Sequence, residues 1–458
     1  MSENAAQSSF RDPSGFVFSR DDVIYRQVNL AHKEHWDHLV GSGLYSALVG
    51  LGLLIPHTEV DIPAEKPDVA YKVIRPEKIF FISYPYEWCF SQLKDAALTL
   101  LRIQKTALDF EMSLRDCSAY NVQFRNGRPV LIDTLSLGRY YAGQPWAPYR
   151  QFCQHFVAPL ALMSYRDVRL SHLFRAYIDG IPLDLASTLL PRRTYLRPGA
   201  LYHVHLHARS QRLFAGKDAA HASKGKVSRH SLAALVDSLE SAVKGLKWSP
   251  SKSEWTGYYD ARTYSPDSLN HKRQLVSEML DRTGAKSAWD FGGNTGLFAR
   301  IAADKGIPTI GFDADISVVE ASYRAARAND GADILPLVCD LTNPSPRIGW
   351  QNRERMSLAD RGPADVGMAL ALIHHLAISN NVPFGRIADF FAEVCRFLIV
   401  EFVPKDDPQV RRMLSVREDI FPDYDQQAFE AEFAERFSIL DSRNINDSQR
   451  VLYLMKRR

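Results

Sequence analysis

The second half of the chain alternates between short apolar runs and amphipathic segments. The runs have the length of strands, and the segments between them carry apolar residues at a spacing near 3.6, which is typical of helices. Strands that alternate with helices favour a mainly parallel sheet with helices on both faces. The predicted strands are 288–289, 308–313, 334–339, 365–370 and 397–403, with an antiparallel closing hairpin at 437–440 and 450–455.

The first half mixes strands and helices without that regular alternation. Residues 15–19 and 23–28 flank a polar turn, which predicts a β-hairpin. Aromatic residues around Pro85, at 84–88, are predicted to be packed core, with a hinge as the alternative. The other predicted elements are strands at 71–74 and 79–83 and helices at 30–54, 93–110 and 231–246, with helical patterns continuing from 151 to 190.

A glycine-rich turn follows the first strand of the second half, within residues 287–300. Asp290 ends the strand, and Gly292, Gly293 and Gly296 precede a helix pattern. Glycine is required where φ is positive or where the backbone must approach a ligand closely. The helix start offers N–H groups and the positive end of a dipole to that ligand. The turn therefore predicts a nucleotide-like ligand, with a plain strand-to-helix connection as the alternative.

Length and composition narrow the class of protein. At 458 residues the chain is longer than one core usually supports, so we expect two domains. The net charge of +3 is too small to indicate a nucleic-acid partner. Neither a membrane span nor a secretory signal is expected, because no apolar run is long enough and the first residues are polar. Five dispersed cysteines without a C-x-x-C pair favour a reducing cytoplasm.

The glycine turn reads D-x-G-x-x-x-G from Asp290 to Gly296 and lacks the G-x-G-x-x-G of dinucleotide-binding folds. This spacing resembles motif I of class I S-adenosylmethionine (SAM)-dependent methyltransferases. The resemblance implies SAM as the cofactor. It also implies that the turn holds the methionine end of SAM through Asp290, Gly292, Gly293, Asn294 and Gly296.

Two further acidic residues end the next two predicted strands. Because the carboxyl ends of parallel strands share one edge of the sheet, Asp313 and Asp340 are expected beside the glycine turn. Asp313 is expected to accept bonds from the ribose hydroxyls, with Asp315 as the alternative. The resemblance implies that Asp340 accepts a hydrogen bond from the adenine amino group and that Leu341 packs against the ring.

The fourth predicted strand leads into A-L-I-H-H-L at 371–376. This segment resembles the one that follows the fourth strand of many small-molecule methyltransferases, not the N-P-P-Y type. His374 or His375 is expected to take a proton from the methyl acceptor, because histidine titrates near neutral pH. Alternatively, one of them caps the helix or packs against the sheet. Glu401, which interrupts the apolar fifth strand, is a third catalytic candidate.

A second motif lies in the first half. Asp116 and Asn121 stand at the interval of the protein-kinase catalytic loop, H-R-D-x-x-x-x-N, and Asp133 ends the next strand, where a kinase has the aspartate of D-F-G. Residues 15–215 therefore resemble the fold of protein kinases and aminoglycoside phosphotransferases. The resemblance places Arg26 at the position of the ATP-binding lysine.

Several departures separate this region from an active kinase. Leu114 replaces the histidine, Thr134 and Leu135 replace F-G, and no glycine-rich phosphate loop precedes Val23. Arg26 keeps the charge of a lysine but presents a longer, planar fork. We therefore expect a degenerate domain that binds substrate or regulates, with unrelated loop residues as the alternative.

Histidines occupy alternate positions in H-V-H-L-H, at His203, His205 and His207. In a strand they would share one face. No nearby cysteine or carboxylate completes a metal site, so we expect a polar strand face and no metal.

Together these patterns predict a disordered tail at 1–14, an α+β kinase-like domain at 15–216, a linker and connecting helix at 217–254, and a Rossmann-like α/β methyltransferase domain at 255–458. An aromatic segment at 255–264 is expected to close over the cofactor or to pack at the domain junction. The chain also resembles a group of bacterial methyltransferases that includes rhizobial nodulation host-specificity proteins. The expected function is methyl transfer from SAM to a small-molecule acceptor. A phosphotransferase with a SAM-sensing domain and a non-catalytic assembly module are the alternatives.

Overall fold

The computed structural model describes residues 9–214, 227–250, 265–328 and 333–458. The chain divides into two compact units. Unit 1 comprises residues 1–249 together with 347–355, and unit 2 comprises residues 250–346 together with 356–458. Residues 1–8 of the predicted tail, 217–226 and 251–254 of the predicted linker and the aromatic segment at 255–264 lie outside the described residues.

Unit 1 begins with a four-stranded antiparallel sheet in the order β1-β2-β4-β3. The predicted hairpin is confirmed, since Gly15 pairs with Val28 and Arg20 pairs with Val23. The short third strand was not predicted. The strands are β1 (Gly15–Arg20), β2 (Val23–Asn29), β3 (His57–Glu59) and β4 (Ala70–Pro76).

The single helix predicted at 30–54 is wrong in one respect, because the structure breaks it. A 3₁₀ turn (Leu30–His32) leads into α1 (Lys33–Gly41), and a second helix, α2 (Leu44–Gly50), follows. Gly43 separates the two helices with φ of +85°. Glycine adopts this left-handed conformation readily, so the helix ends there although the apolar spacing continues.

The strand predicted at 79–83 is also wrong, because the backbone there pairs with a side chain and not with a strand. Gln123 Oε1 accepts a hydrogen bond from the Ser83 N–H at 2.9 Å, and Gln123 Nε2 donates one to the Ser83 carbonyl at 2.9 Å. All of these groups are buried. A glutamine side chain thus satisfies the backbone that a neighbouring strand would otherwise pair with.

A long helix and two small two-stranded sheets follow and position the residues predicted to be kinase-like. The predicted helix at 93–110 is confirmed as α3 (Phe90–Asp109). Strand β5 pairs with β8, and β6 pairs with β7, each antiparallel. The loop 115–121 and Asp133 therefore lie between paired strands, which are β5 (Met112–Leu114), β6 (Val122–Arg125), β7 (Arg128–Leu131) and β8 (Leu137–Arg139).

The rest of unit 1 is helical. Two π-helical segments, Cys153–Val157 and Leu201–Leu206, continue into regular helices. The predicted helix at 231–246 is confirmed as α10, which packs on α3, where Lys105 Nζ lies 2.6 Å from Asp237 Oδ1. The helices are α4 (Tyr149–Phe152), α5 (Ala158–Tyr165), α6 (Leu173–Ala176), α7 (Leu183–Leu189), α8 (Pro198–Ala200), α9 (His207–Phe214) and α10 (Arg229–Gly245).

The strand predicted for the alternating histidines is wrong, because they lie in the π-helical segment and in α9. His203 Nδ1 bonds the Tyr149 hydroxyl at 2.9 Å, and His203 Nε2 bonds Ser238 Oγ at 3.0 Å. His205 bonds two hydroxyls in the same way. His203 and His205 are therefore buried among helices and hydrogen-bonded to hydroxyl groups.

Unit 2 contains a seven-stranded sheet in the order β11-β10-β9-β12-β13-β15-β14. The first five strands are parallel, and β14 and β15 form an antiparallel hairpin at one edge. This is the mainly parallel sheet with a closing hairpin that the pattern predicts. The strands are β9 (Ala288–Phe291), β10 (Thr309–Asp313), β11 (Ile334–Val338), β12 (Ala364–Ala369), β13 (Cys395–Phe402), β14 (Phe437–Asn444) and β15 (Val451–Arg457).

Helices cover both faces of this sheet. Successive strand residues point to opposite faces, so Ala288 joins the cluster with α11 and α12, whereas Phe291 contacts the aromatic rings of α14. The strands between these two layers are almost wholly buried, as a parallel sheet requires. The helices are α11 (Pro266–Thr283), α12 (Leu297–Asp304), α13 (Ile316–Ala328), α14 (Phe384–Val394), α15 (Pro408–Leu414) and α16 (Gln426–Ala434).

Within the described residues, no helix combines the length and the apolar character that crossing a bilayer requires.

Candidate functional site

The turn after β9 has a backbone that requires glycine. Gly292 and Gly296 have φ of +72° and +84°, and Asn294 between them has φ of +49°. A Cβ on Gly296 would lie 2.7 Å from Ser322 Oγ, closer than real contacts allow. Positive φ and this close approach together explain the glycine pattern.

Asp290 supports this turn from beneath and is only 2% exposed. Its carboxylate accepts a hydrogen bond from the backbone of Ala299 in the first turn of α12, whose N–H groups lack partners within the helix. Asp290 Oδ2 has no hydrogen-bond partner among the described residues. Burial raises the pKa of Asp290 to about 7, because a carboxylate is costly to hold away from water.

Asp313 ends β10 and ties this strand to the glycine turn. Its Oδ2 accepts a hydrogen bond from the Asn294 N–H at 2.9 Å, and its Oδ1 accepts one from the Asp315 N–H at 2.9 Å. The Ala314 N–H donates to the same carboxylate. A carboxylate has about four lone-pair sites, so Asp313 keeps room for a further donor such as a hydroxyl. Burial raises the pKa of Asp313 to about 6.

A cavity of about 310 Å³ lies at the carboxyl ends of β9, β10, β11 and β12. This is the edge at which open α/β sheets bind ligands, and the volume lies at the lower end of the range for ligand pockets. The predicted residues Gly293 and Gly296 belong to the turn but not to the cavity wall. The predicted residues on the wall are Gly292, Asn294, Asp313, Asp340, Leu341 and His375, together with Asp315, the alternative for the ribose.

Asp340 and Leu341 reach the wall from the end of β11. Asp340 Oδ1 accepts hydrogen bonds from the Thr342 N–H at 2.9 Å and from the Thr342 hydroxyl at 2.7 Å. These two bonds fix the orientation of the carboxylate, and no bond within the described residues involves its Oδ2. The wall therefore has a hydrogen-bond acceptor of fixed orientation, Asp340, next to the apolar side chain of Leu341.

The two histidines after β12 have different environments. His375 lines the cavity, and burial lowers its pKa to about 4, so its ring is neutral at pH 7. His374 is fully buried and does not reach the wall, and neither of its ring nitrogens has a partner among the described residues. The backbone here is irregular, because Ala371 has φ of +50° and His375–Ser379 form a π-helical segment. Such irregularities cluster at functional sites.

Glu401 lies behind the cavity in a buried network of charges. Lys272 Nζ lies 2.6 Å from Glu401 Oε2, and Arg450 NH1 lies 3.4 Å from Glu401 Oε1. Arg450 also pairs with Asp407, where Nε lies 2.7 Å from Oδ2. Glu401 is therefore engaged within the protein and does not reach the wall, whereas Lys272 does.

Lys272 is a site residue that the sequence analysis missed. A signal was present, because Lys272 occupies a position on the apolar face of α11, three and four residues before Leu275 and Val276. Lysine at such a position needs a buried anion, and Glu401 supplies it. Of the described residues on the cavity wall, Lys272 is the one with an ammonium or guanidinium group.

Unit 1 brings its predicted kinase-like residues together. Arg26 NH1 lies 2.6 Å from Asp133 Oδ1, with the side chains 11% and 14% exposed. Asp133 also accepts hydrogen bonds from the Leu135 N–H at 3.0 Å and from the Ser136 hydroxyl at 2.9 Å. Its carboxylate is therefore occupied by one cation and two further donors from the same unit.

The remaining kinase-like residues are engaged in the same way. Asn121 Nδ2 donates to Ser136 Oγ at 3.3 Å, and Asp116 Oδ1 accepts from the Ser118 N–H at 2.8 Å. Burial raises the pKa of Asp116, which also bonds the side chain of Asn121. No group of three or more potential metal ligands occurs among the residues that the structure describes.

The fold of unit 2 defines a doubly wound α/β protein with a cavity at the carboxyl edge of its sheet. No protein-family model matches the chain. The chain is 35% identical to the nodulation protein NoeA of Rhizobium meliloti (strain 1021) over 456 residues, which covers 98% of this chain and 95% of that protein. It therefore belongs to the NoeA family.

Several solved structures resemble parts of the chain. WbdD, described as a bifunctional kinase-methyltransferase, is 18% identical with a TM-score of 0.31, and the match covers 44% of this chain and 42% of WbdD. The magnesium protoporphyrin IX methyltransferase ChlM of Synechocystis PCC 6803 is 15% identical with a TM-score of 0.32, covering 44% of this chain and 93% of ChlM. The N-methyltransferase NodS of Bradyrhizobium japonicum WM9 is 10% identical with a TM-score of 0.32, covering 42% of this chain and 98% of NodS. These TM-scores are too low to support an assignment.

Proposed function

We propose that unit 2 binds SAM in the cavity at the carboxyl edge of its sheet and transfers the methyl group to a small-molecule acceptor. The observation that carries this proposal is the junction of the glycine turn with Asp313, whose two oxygens both meet backbone N–H groups at the cavity wall. This junction leaves acceptor capacity for a ribose hydroxyl next to a turn that contains three glycines. A nucleoside with an extended polar tail fits that combination.

Each end of the cofactor has suitable residues. Gly292 and Asn294 would hold the methionine end, with Gly293 and Gly296 giving the turn its shape and Asp290 supporting it. Asp313 would hold the ribose. Asp340 and Leu341 would hold the adenine, through an acceptor oxygen and an apolar surface.

When bound, SAM would supply an activated methyl group, and the residues of the chain would supply position and proton handling. The neutral ring of His375 on the cavity wall could accept a hydrogen bond or a proton from an acceptor hydroxyl or amine, although its lowered pKa makes it a weaker base than a free imidazole. Buried His374 and paired Glu401 would act through packing, and Glu401 would hold Lys272 at the wall.

For unit 1 we propose a role in substrate binding or regulation. Phosphoryl transfer requires a carboxylate that is free to hold magnesium on the phosphates. The Arg26–Asp133 ion pair, with the bonds from Leu135 and Ser136, occupies that carboxylate and supports a degenerate kinase-like unit.

Calorimetric titration of the full chain with SAM, with S-adenosylhomocysteine and with Mg-ATP tests both proposals. We expect saturable binding of SAM and of S-adenosylhomocysteine, because they share the adenosine and amino-acid groups that the proposed site would bind. We expect no Mg-ATP binding. Failure of both adenosyl ligands to bind would refute the methyltransferase assignment, and saturable Mg-ATP binding would refute the role proposed for unit 1.

A further inference from the structure

The surface of unit 1 carries an apolar stripe on the outer side of the helical segment at 200–214. From residue 200 to residue 208, the buried positions are 200, 203, 204, 205 and 208, and the exposed positions are 202 and 206. Surface helices normally place charged or polar residues at such outward positions. Here large apolar side chains face out, both in the helical segment and in the turn that precedes it. They are Tyr195 (49% exposed), Leu196 (85%), Tyr202 (57%), Leu206 (42%) and Leu213 (60%).

The turn and the helix form one neighbourhood. The ring of Tyr195 stacks on His205 with centroids 3.9 Å apart, which places the 192–197 turn beside Leu206. His205 is itself held by Ser187 and Thr194 through both ring nitrogens. Buried contacts therefore hold the turn and the helix that carry the exposed apolar residues in one arrangement.

The segment that carries these residues is rich in arginine. From residue 185 to residue 214 the chain contains five arginines and no aspartate or glutamate. All five are exposed, and none forms an ion pair within the described residues. We call the five apolar residues above and these arginines the basic-apolar patch, and its arginines are Arg192, Arg193, Arg197, Arg209 and Arg212.

We propose that the basic-apolar patch binds the surface of a membrane that contains anionic lipids. Arginine beside outward tyrosine and leucine is the composition of segments that lie in the membrane interface, where headgroups pair with the cations and acyl chains cover the apolar groups. A second copy of the chain fits less well, because an isologous contact would bring five arginines against five arginines. Nucleic acid would satisfy the arginines but would leave exposed leucines such as Leu196 and Leu206 without an apolar partner.

Vesicle co-sedimentation of the full chain tests this inference. Vesicles of phosphatidylcholine alone are compared with vesicles of phosphatidylcholine and phosphatidylglycerol. We expect binding to the anionic vesicles that weakens with added salt, and little binding to phosphatidylcholine. Arg192→Gln with Arg193→Gln should lower the partition coefficient about fivefold for each arginine removed. Leu206→Ser with Leu213→Ser should lower it as well, because less apolar surface enters the interface.

Matched controls lie elsewhere on the same chain. Leu30→Ser with Leu51→Ser removes two leucines that are 52% and 47% exposed outside the patch. Arg102→Gln with Arg273→Gln removes two exposed arginines outside the patch. We expect both control variants to bind like the unmodified chain. Absence of binding to anionic vesicles, or equal loss in patch and control variants, would overturn the proposal. So would a dimer in sedimentation velocity that the patch variants convert to monomer, because that result assigns the surface to a second copy.

Discussion

Lys272 Nζ lies 2.6 Å from Glu401 Oε2, and the two side chains are 1% and 0% exposed. This ion pair joins the first helix of unit 2 to the central part of its sheet and places a cation at the cavity wall. Burial lowers the pKa of Lys272, while Glu401 opposes that shift. The stability of unit 2 therefore depends on both partners, because removing one of them leaves the other charge buried without its nearest opposite charge.

Removing one partner of this pair should destabilise unit 2 strongly. Lys272→Met should lower the free energy of unfolding by about 3–5 kcal/mol, because Glu401 keeps its buried charge. The double variant Lys272→Met with Glu401→Gln should recover much of that loss. Urea unfolding of the full chain measures this, with Lys305→Met as the control, since its partner Asp281 is exposed and the expected loss is below about 1 kcal/mol. A double variant no more stable than the single one would contradict the pairing.

Asp290 should make unit 2 less stable as the pH rises. Its pKa is raised to about 7 in the folded chain, against about 4 in an unfolded one, so the folded state binds more protons between these values. Its contribution is therefore fully present below pH 4 and is lost as the pH rises through 7. At pH 8 the free energy of unfolding of Asp290→Asn should exceed that of the unmodified chain by at most about 4 kcal/mol. At pH 5, about one unit above the unfolded pKa, the difference should shrink to about 1.4 kcal/mol. An equal difference at both pH values would contradict this account.

Gln123 should be essential to the segment that the sequence analysis misread as a strand. Gln123→Ala leaves the N–H and the carbonyl of Ser83 buried without their partner. Each buried group left unsatisfied costs about 1–3 kcal/mol, so unit 1 should lose several kcal/mol in thermal or urea unfolding. Gln27→Ala is a control of the same residue type, because its side chain bonds residues nearer the surface at Lys66 and Asn29. Equal losses of stability in the two variants would contradict the claim that the bonds to Ser83 stabilise unit 1 more than the bonds of Gln27 do.

The Arg26–Asp133 pair should support structure and not nucleotide binding. Asp133→Ala removes the acceptor of one salt bridge and two further hydrogen bonds, so unit 1 should lose stability by roughly 3–5 kcal/mol. Titration with Mg-ATP should show no binding before or after the substitution. Binding that is present in the unmodified chain and lost in Asp133→Ala would establish a phosphotransferase site.

The sheet of unit 2 was predictable from the sequence because its signals are local. Apolar runs, the acid at each strand end and the glycine spacing are all read within about ten residues. The positions of Gly292, Asp313 and Asp340 at one edge then follow from parallel topology. That Glu401 and His374 are buried could not be predicted in this way, because burial depends on contacts between residues distant in sequence. Glu401, for example, pairs with Lys272 and Arg450.

The wrong predictions in unit 1 also arise because contacts distant in sequence, or a single glycine, override the local pattern. Residues 79–83 have the composition of a strand, but their backbone partner is a glutamine some 40 residues later. Gly43 was the local signal that breaks the first helix, and the apolar spacing on either side obscured it. His203 and His205 alternate like strand residues, yet a π-helical segment brings both inward against hydroxyl groups of other helices.

The most direct test of the central claim is the affinity of the full chain for SAM before and after Asp313→Ala. The loss of a charged hydrogen-bond acceptor should weaken binding by about 1.5–3 kcal/mol, which raises the dissociation constant about 10- to 150-fold. Asp281→Ala, an exposed aspartate at the end of α11, is the control and should leave the affinity unchanged. Calorimetry that shows the predicted loss in Asp313→Ala alone supports SAM in this cavity, whereas equal affinity in all three proteins would contradict it.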